Sequence, residues 1–127
     1  DYLKPGGRII VSIPNVAHWS VRLHLLTGRF DYGDKGILDK THVRFFTLRT
    51  ARNLLRQANY KILRTESTPL PLMDVLPVFR LFPLRLIHWI DVALSTVWKG
   101  LFGYQFVFLA EDTLTRPVAG STMTDSR

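Results

Sequence analysis

The segment Arg8 to Ile13, RIIVSI, constrains this chain more than any other. Ile9, Ile10, Val11 and Ile13 make a short, β-branched, nearly continuous apolar run. That is the pattern of a strand covered on both faces, and such strands sit centrally in parallel sheets. LKPGG at 3–7 precedes it, with proline presetting φ and glycine accepting positive φ, which is turn chemistry. Pro14 and Asn15 end the strand. Asn15 is placed to cap a helix with apolar residues at Val16, Trp19, Leu23 and Leu26, stopped by Gly28. A strand, a short loop and a helix in that order predict an α/β fold.

Periodicity is lost over residues 28–46, GRFDYGDKGILDKTHVRFF, a long irregular connection of the kind that usually carries function. It returns at Thr47, a capping residue. Ala51, Leu54, Leu55 and Ala58 then fall at i, i+3, i+4 and i+7 and predict a helix, with Asn59 at its left-handed end. Tyr60 to Thr65 reads as a second strand and Tyr104 to Ala110, YQFVFLA, as a third. The intervening stretch, about 69–102, is longer than a hairpin needs and reads as an insertion. It is punctuated by Pro69, Pro71, Pro77 and Pro83 and continues as a helix over 84–99. On that helix Arg85, His88, Asp91, Ser95 and Lys99 form one polar stripe, and apolar residues fill the rest, so burial on two sides is expected. The domain is expected to span 1–112, with 113–127 a disordered tail.

Composition narrows the function. At 127 residues the chain is one domain at most, and it can bury a cooperative core without metal or disulfide staples. With no cysteine there is no disulfide framework, thiolate metal site or cysteine nucleophile, and a reducing cytosol fits as well as any other compartment; the location expected for the chain is cytoplasmic, with membrane association left open. The net charge is +7, but twelve Lys and Arg against four acids lie in residues 1–64, and five against six in 65–127. No run of five like charges forms an arm or tail. Leu86 to Ala110 is long enough to cross a bilayer, but Asp91, Lys99 and Gln105 break it, so a transmembrane helix is not expected. The chain starts at Asp1 without an apolar leader and is expected to begin within a longer protein.

The pieces LKPGG at 3–7, RIIVSIPN at 8–15, GILDKTHVRFFT at 36–47 and NYKI at 59–62, in this order, resemble class I S-adenosylmethionine-dependent methyltransferases. The closest likeness is to ubiquinone-biosynthesis-type and sugar or cell-envelope O-methyltransferases. The resemblance covers about residues 3–68 and 104–110. It implies that RIIVSIP is the fifth strand of a seven-stranded, Rossmann-like sheet, closed by an antiparallel hairpin of the last two strands. It also implies S-adenosylmethionine as cofactor and a small-molecule hydroxyl as methyl acceptor. The family's GxGxG loop and the acidic residue that hold the cofactor would lie upstream. Gly33 and Gly36 do not replace them, because they sit in the irregular loop instead of between a strand and a helix. No cofactor-binding residue is therefore assigned in this chain, which is expected to be inactive alone.

Methyl transfer to oxygen uses a base near the acceptor hydroxyl. His42 is the candidate, with Asp39 or Thr41 able to orient its ring; packing or capping at the helix that follows is the alternative. Asn15, past the carboxyl end of the first strand, stands where open α/β sheets bind ligands, with N-capping as its other role. Arg29 and Arg44, beside Phe30 and Phe45, suit an acceptor phosphate or carboxylate, or pair with Asp31, Asp34 or Asp39. Asp39 and His42 alone do not make a metal site. His18 and Arg22 read as a solvated helix face, and His88 as part of the polar stripe. Arg49, Arg52 and Arg56 share a helix face, but no recognition motif accompanies them, and nucleic-acid binding is disfavoured.

The insertion offers a different class of function. Its apolar surface, with Trp89 and Trp98, suits a non-catalytic module that docks on a membrane interface or on a second subunit. Because Lys and Arg do not dominate the polar stripe, self-association is the better expectation of the two.

Overall fold

The computed structural model describes residues 4, 6–71 and 85–113. The turn at the start closes through Gly7 N–H donating to Lys4 O at 2.8 Å, with Gly6 at φ 72°. Strand β1 (Arg8–Pro14) leads to helix α1 (Trp19–Leu26), then to α2 (Leu48–Gln57) and β2 (Tyr60–Thr68). Helices α3 (Arg85–Val97) and α4 (Lys99–Phe102) precede β3 (Gln105–Asp112). Among the described residues this is a mixed α/β structure, a three-stranded antiparallel sheet with four helices. The expected single helix over 84–99 is interrupted at Trp98. The expected tail lies outside the described residues apart from Thr113, which bonds back to Asn59 O.

The sheet order is β1-β3-β2, and β3 runs antiparallel to both neighbours. The last two strands therefore pair antiparallel as expected, while β1 and β2 run parallel to each other without touching. The central, most buried strand is β3 and not β1. Phe106, Phe108 and Ala110 of β3 are wholly buried, whereas β1 alternates and leaves Ile10 75% exposed. The expectation of a β1 covered on both faces is corrected for this structure. Its β-branched run reports strand propensity, and coverage depends on neighbours that sequence does not show.

One sheet face is sealed by α2. Ala51 and Leu55 pack with Ile13, Phe106 and Phe108, joined by Val11, Phe46, Leu48, Tyr60 and Ile62. Leu54 and Ala58, expected on the same face, are exposed. On the opposite sheet face Ile10, Arg64, Glu66, Val107 and Leu109 line an open depression. A register shift between Ile62 and Arg64 puts Leu63 out of the ladder.

The ends of α2 follow local chemistry. Thr47 Oγ1 accepts from Thr50 N–H at 3.3 Å and Thr50 Oγ1 accepts from Thr47 N–H at 2.9 Å, a reciprocal cap. Asn59 takes φ 61° and ends the helix as expected. Thr47→Ala removes the acceptor for one amide and is expected to cost about 1 kcal/mol, read as a lower urea midpoint with unchanged slope. An unchanged midpoint would mean that the α2 start is held by packing alone.

Candidate functional site

The chain leaves β1 at a junction where three segments meet. Asn15 N–H donates to Tyr104 O, and Val16 N–H donates to Phe46 O, both at 3.0 Å. The junction therefore ties the carboxyl end of β1 to the end of the 28–46 loop and the start of β3. Asn15 is wholly buried. Its side-chain amide donates to Gly100 O at 3.1 Å and Gly103 O at 2.8 Å, and its Oδ1 accepts from Ala17 N–H at 3.0 Å. Asn15 thus clamps α4 and the turn before β3 to the end of β1. Its side-chain polar atoms are engaged inside the protein, and it does not cap α1, whose N-cap is another residue. Gly103 fits this close approach, since a Cβ there would lie 2.5 Å from Lys99 O.

The capping residue of α1 is His18, which does not lie on the solvated face expected for it. It is wholly buried, against the Trp19 and Tyr104 rings at centroid distances of 5.5 and 5.8 Å. Nδ1 accepts from Ser20 N–H at 3.4 Å and lies 2.8 Å from Ser20 Oγ, which leaves the proton of the neutral ring on Nε2. Among the described residues Nε2 has no partner within hydrogen-bonding geometry. Burial lowers the His18 pKa from 6.5 to about 4, and the Phe102 backbone, which favours the protonated ring, offsets this only in part. Arg22 is exposed and donates from Nε to Ala17 O at 2.7 Å. The inward side chain of α1 is Val21, while Trp19, Leu23, Leu25 and Leu26 are exposed, so the expected apolar face through Trp19, Leu23 and Leu26 points away from the core.

The 28–46 loop is ordered by its own short-range bonds. Gly28, at φ 72°, and Arg29 close the end of α1, donating to Leu25 O and His24 O. Gly33 N–H donates to Leu38 O and Lys40 N–H returns to Gly33 O. The Asp39 carboxylate accepts from Thr41 N–H and Oγ1–H, both at 2.8 Å, and these bonds hold its pKa below the ordinary value. The hydrogen bonds of Asp39 therefore go to Thr41, while His42 adds a smaller electrostatic attraction to its carboxylate. The ring is oriented by the Ile37 carbonyl, 3.1 Å from Nδ1. A carbonyl can only accept, so Nδ1 carries the proton and the Nε2 lone pair of the neutral ring is available.

Phe30, Tyr32 and Phe45 form an aromatic trio with centroids 5.7 to 5.9 Å apart. Arg29 and Arg44 are exposed and enter no salt bridge among the described residues; Asp34 pairs with Lys40 at 2.8 Å and Asp39 accepts from Thr41. Two uncommitted guanidinium groups thus flank the aromatic trio in sequence. Beside the loop lies an open cleft of about 240 Å³ whose lining includes Ser20, Val21, His24, Gly33, Ile37 and Tyr104. Burial raises the Tyr104 pKa, opposed by the Ile37 backbone. Gly36, at φ 97°, lets the Tyr104 hydroxyl approach to 3.0 Å from where a Cβ would stand. His42 does not line the cleft and connects to it through Ile37. His18, Tyr32 and Tyr104 join the candidate site only in the structure; of these only Tyr32, inside the aromatic loop, carries a local sequence signal.

On α2, Arg49, Arg52 and Arg56 line a shallow depression with Leu48 and Asn53, as their spacing implies. Among the described residues no three His, Asp or Glu side chains gather as metal ligands, and no helix is long and apolar enough to cross a membrane. No protein-family model matches the chain, and no curated protein is significantly similar to it.

Proposed function

We propose that this chain is the C-terminal, acceptor-side part of a class I S-adenosylmethionine-dependent methyltransferase acting on a small-molecule hydroxyl in the cytoplasm. The observation that carries this reading is the strand arrangement. Its last two strands pair antiparallel as the resemblance requires, and β1 and β2 run parallel. Among the described residues the outer edge of β1 is unpaired. A sheet in which β1 is the fifth strand needs that edge for its upstream parallel strands. The open face around Ile10 and Leu109 supports the same reading, because α/β sheets are covered on both faces.

The residues present do not fit the cofactor. Among the described residues no glycine-rich loop joins a strand to a helix, and Gly33 and Gly36 serve the fold of an irregular loop. No step through the cofactor is assigned to this chain. Its own contribution is to shape the acceptor pocket. The His42 Nε2 lone pair takes the acceptor proton, Phe30 and Phe45 supply an apolar wall, and Arg29 and Arg44 hold an anionic group of the acceptor. Asp39 and Thr41 fix the turn that presents His42.

Equilibrium dialysis against S-adenosylmethionine tests the proposal. The natural gene product, with the reading frame upstream of Asp1 included, is expected to bind it, and the 127-residue chain is not. Failure of both would remove the methyltransferase reading, and binding by the short chain would remove the acceptor-side assignment. In the binding-competent protein His42→Ala is expected to lower kcat about a hundredfold. Near-normal turnover across pH would end the base assignment while leaving the fold reading standing.

A further inference from the structure

Helix α3 leaves Leu86, Trp89 and Val97 60%, 59% and 86% exposed, so the burial on two sides expected for it does not occur among the described residues. Its apolar side chains carry no group that would name a partner. The outer side of α2 does. From Lys40 to Thr65 the chain holds seven Lys and Arg and no Asp or Glu, whereas outside that stretch ten Lys and Arg are balanced by ten Asp and Glu. The net charge of +7 therefore belongs to this one stretch, of which α2 is the middle.

Three of those cations stand in a row. Arg49, Arg52 and Arg56 fall at i, i+3 and i+7 on α2 and line, with Leu48 and Asn53, a shallow depression of about 310 Å³. Arg49, Asn53 and Arg56 are exposed, and Arg52 between them is half-buried. Like charges one turn apart repel, and an acid at helical spacing would relieve them, yet α2 contains no Asp or Glu. Nor does tertiary structure supply one. Among the described residues the three guanidinium groups enter no ion pair, because Asp34 is taken by Lys40 and Glu66 by Arg64 and Lys99. The start of the helix is already closed by Thr47 and Thr50, so what remains for an anion is the side-chain row and not the helix end.

We propose that this row binds a compact ligand carrying two or more phosphate groups. The guanidinium fork pairs bidentately with phosphate oxygens, and a phosphate offers acceptors to more than one fork at once. From Arg49 to Arg56 the row runs about 10 Å along the helix axis, more than a single carboxylate or phosphate can span. The Asn53 amide adds a donor without charge to the same lining. A nucleic acid is the less suitable polyanion, because no aromatic ring lines the depression to stack on a base. The inference is independent of the methyltransferase reading.

The test uses the 127-residue chain and two probes that separate a free phosphate compound from a lipid headgroup. Calorimetry measures sodium tripolyphosphate, and co-sedimentation measures phosphatidylcholine vesicles with and without phosphatidylinositol bisphosphate. Saturable binding of one tripolyphosphate per chain assigns the row to a free compound. Binding at least about tenfold tighter to the bisphosphate vesicles assigns it to the headgroup. In either case Arg49→Gln with Arg52→Gln and Arg56→Gln is expected to weaken binding about thirtyfold. Lys4→Gln with Lys35→Gln and Arg85→Gln removes the same charge at exposed positions elsewhere and is expected to change binding less than about threefold. Equal losses in the two triple variants would show attraction to net charge alone and overturn the proposal. So does the absence of saturable binding to both probes. Tighter binding of a single-stranded oligonucleotide, lost only in the α2 variant, would assign the row to nucleic acid instead. Should the α2 variant fail to fold, Arg49→Gln with Arg56→Gln, both exposed, is compared with Lys4→Gln and Lys35→Gln, and equal affinities there overturn the proposal.

Discussion

Asn15→Ala is expected to destabilise the fold by about 3 to 4 kcal/mol, the largest effect of any single polar substitution argued for this chain. Three bonds are lost together, from the side-chain amide to Gly100 O and Gly103 O and from Ala17 N–H to Oδ1. The residue is wholly buried, so the two carbonyls it abandons face protein and not water. Asn15→Asp is expected to be at least as costly, since it removes both donors and brings a carboxylate against two carbonyl oxygens. Urea denaturation gives the comparison, and a loss under about 1 kcal/mol for the alanine variant would mean that the clamp contributes no more than one ordinary exposed hydrogen bond. Because the clamp joins β1 to the segment leading into β3, the same variants should expose the backbone amides of residues 99–104 to hydrogen exchange ahead of those in α2.

Acid sensitivity centred on His18 is the second large effect. Burial places its folded pKa at about 4, against 6.5 for the free side chain. Between those values the unfolded chain binds a proton that the folded chain refuses, so stability falls as pH falls. The contribution is complete above pH 6.5, is lost progressively down to about pH 4, and does not change further below that. Across the window it amounts to about 3 kcal/mol at most. His18→Asn keeps a capping acceptor for the α1 start and removes the titration. The difference between the two proteins, followed by urea midpoints from neutral to acid pH, isolates His18 from the carboxylates, which titrate in both. Among those, Asp91 carries a pKa raised by burial and relieves its penalty on acidification, the opposite direction to His18. A difference that stays constant with pH would show that the His18 ring is reached by water.

Local chemistry was legible in the sequence because it acts over a few residues. The Thr47 cap, the left-handed Asn59, the Gly28 stop, the strands around Ile9, Ile62 and Phe106 and the α2 core contacts of Ala51 and Leu55 all follow from spacing and backbone preference. The short turn bonds of the 28–46 loop belong to the same class, and so that loop was recognisable as ordered connection.

What the sequence left undecided was direction. Whether β1 is central or at an edge depends on β3, about ninety residues away, inserting between β1 and β2. Asn15 had two local roles available, capping or ligand contact, and the structure gives it a third through carbonyls 85 and 88 residues distant. The stripe on α3 is polar as its spacing implies, but periodicity measures the separation of two faces and not which of them meets the protein. Asp91 and Lys99 find backbone partners at Leu70 N–H and Thr65 O, and Ser67 Oγ donates to the Ser95 carbonyl, contacts that hold the polar stripe inward and turn the apolar face outward. His18 is buried for a related reason: the Trp19 and Tyr104 rings close over it only once β3 is in place. Residue spacing and backbone preference place the helices and strands approximately, though not the break at Trp98 or the extension of β2 to Thr68, and they mark which side chains carry polar or titratable groups. The tertiary structure decided which of those side chains are engaged inside the fold and which remain free, because hydrogen-bond satisfaction and burial are settled between segments that are distant along the chain.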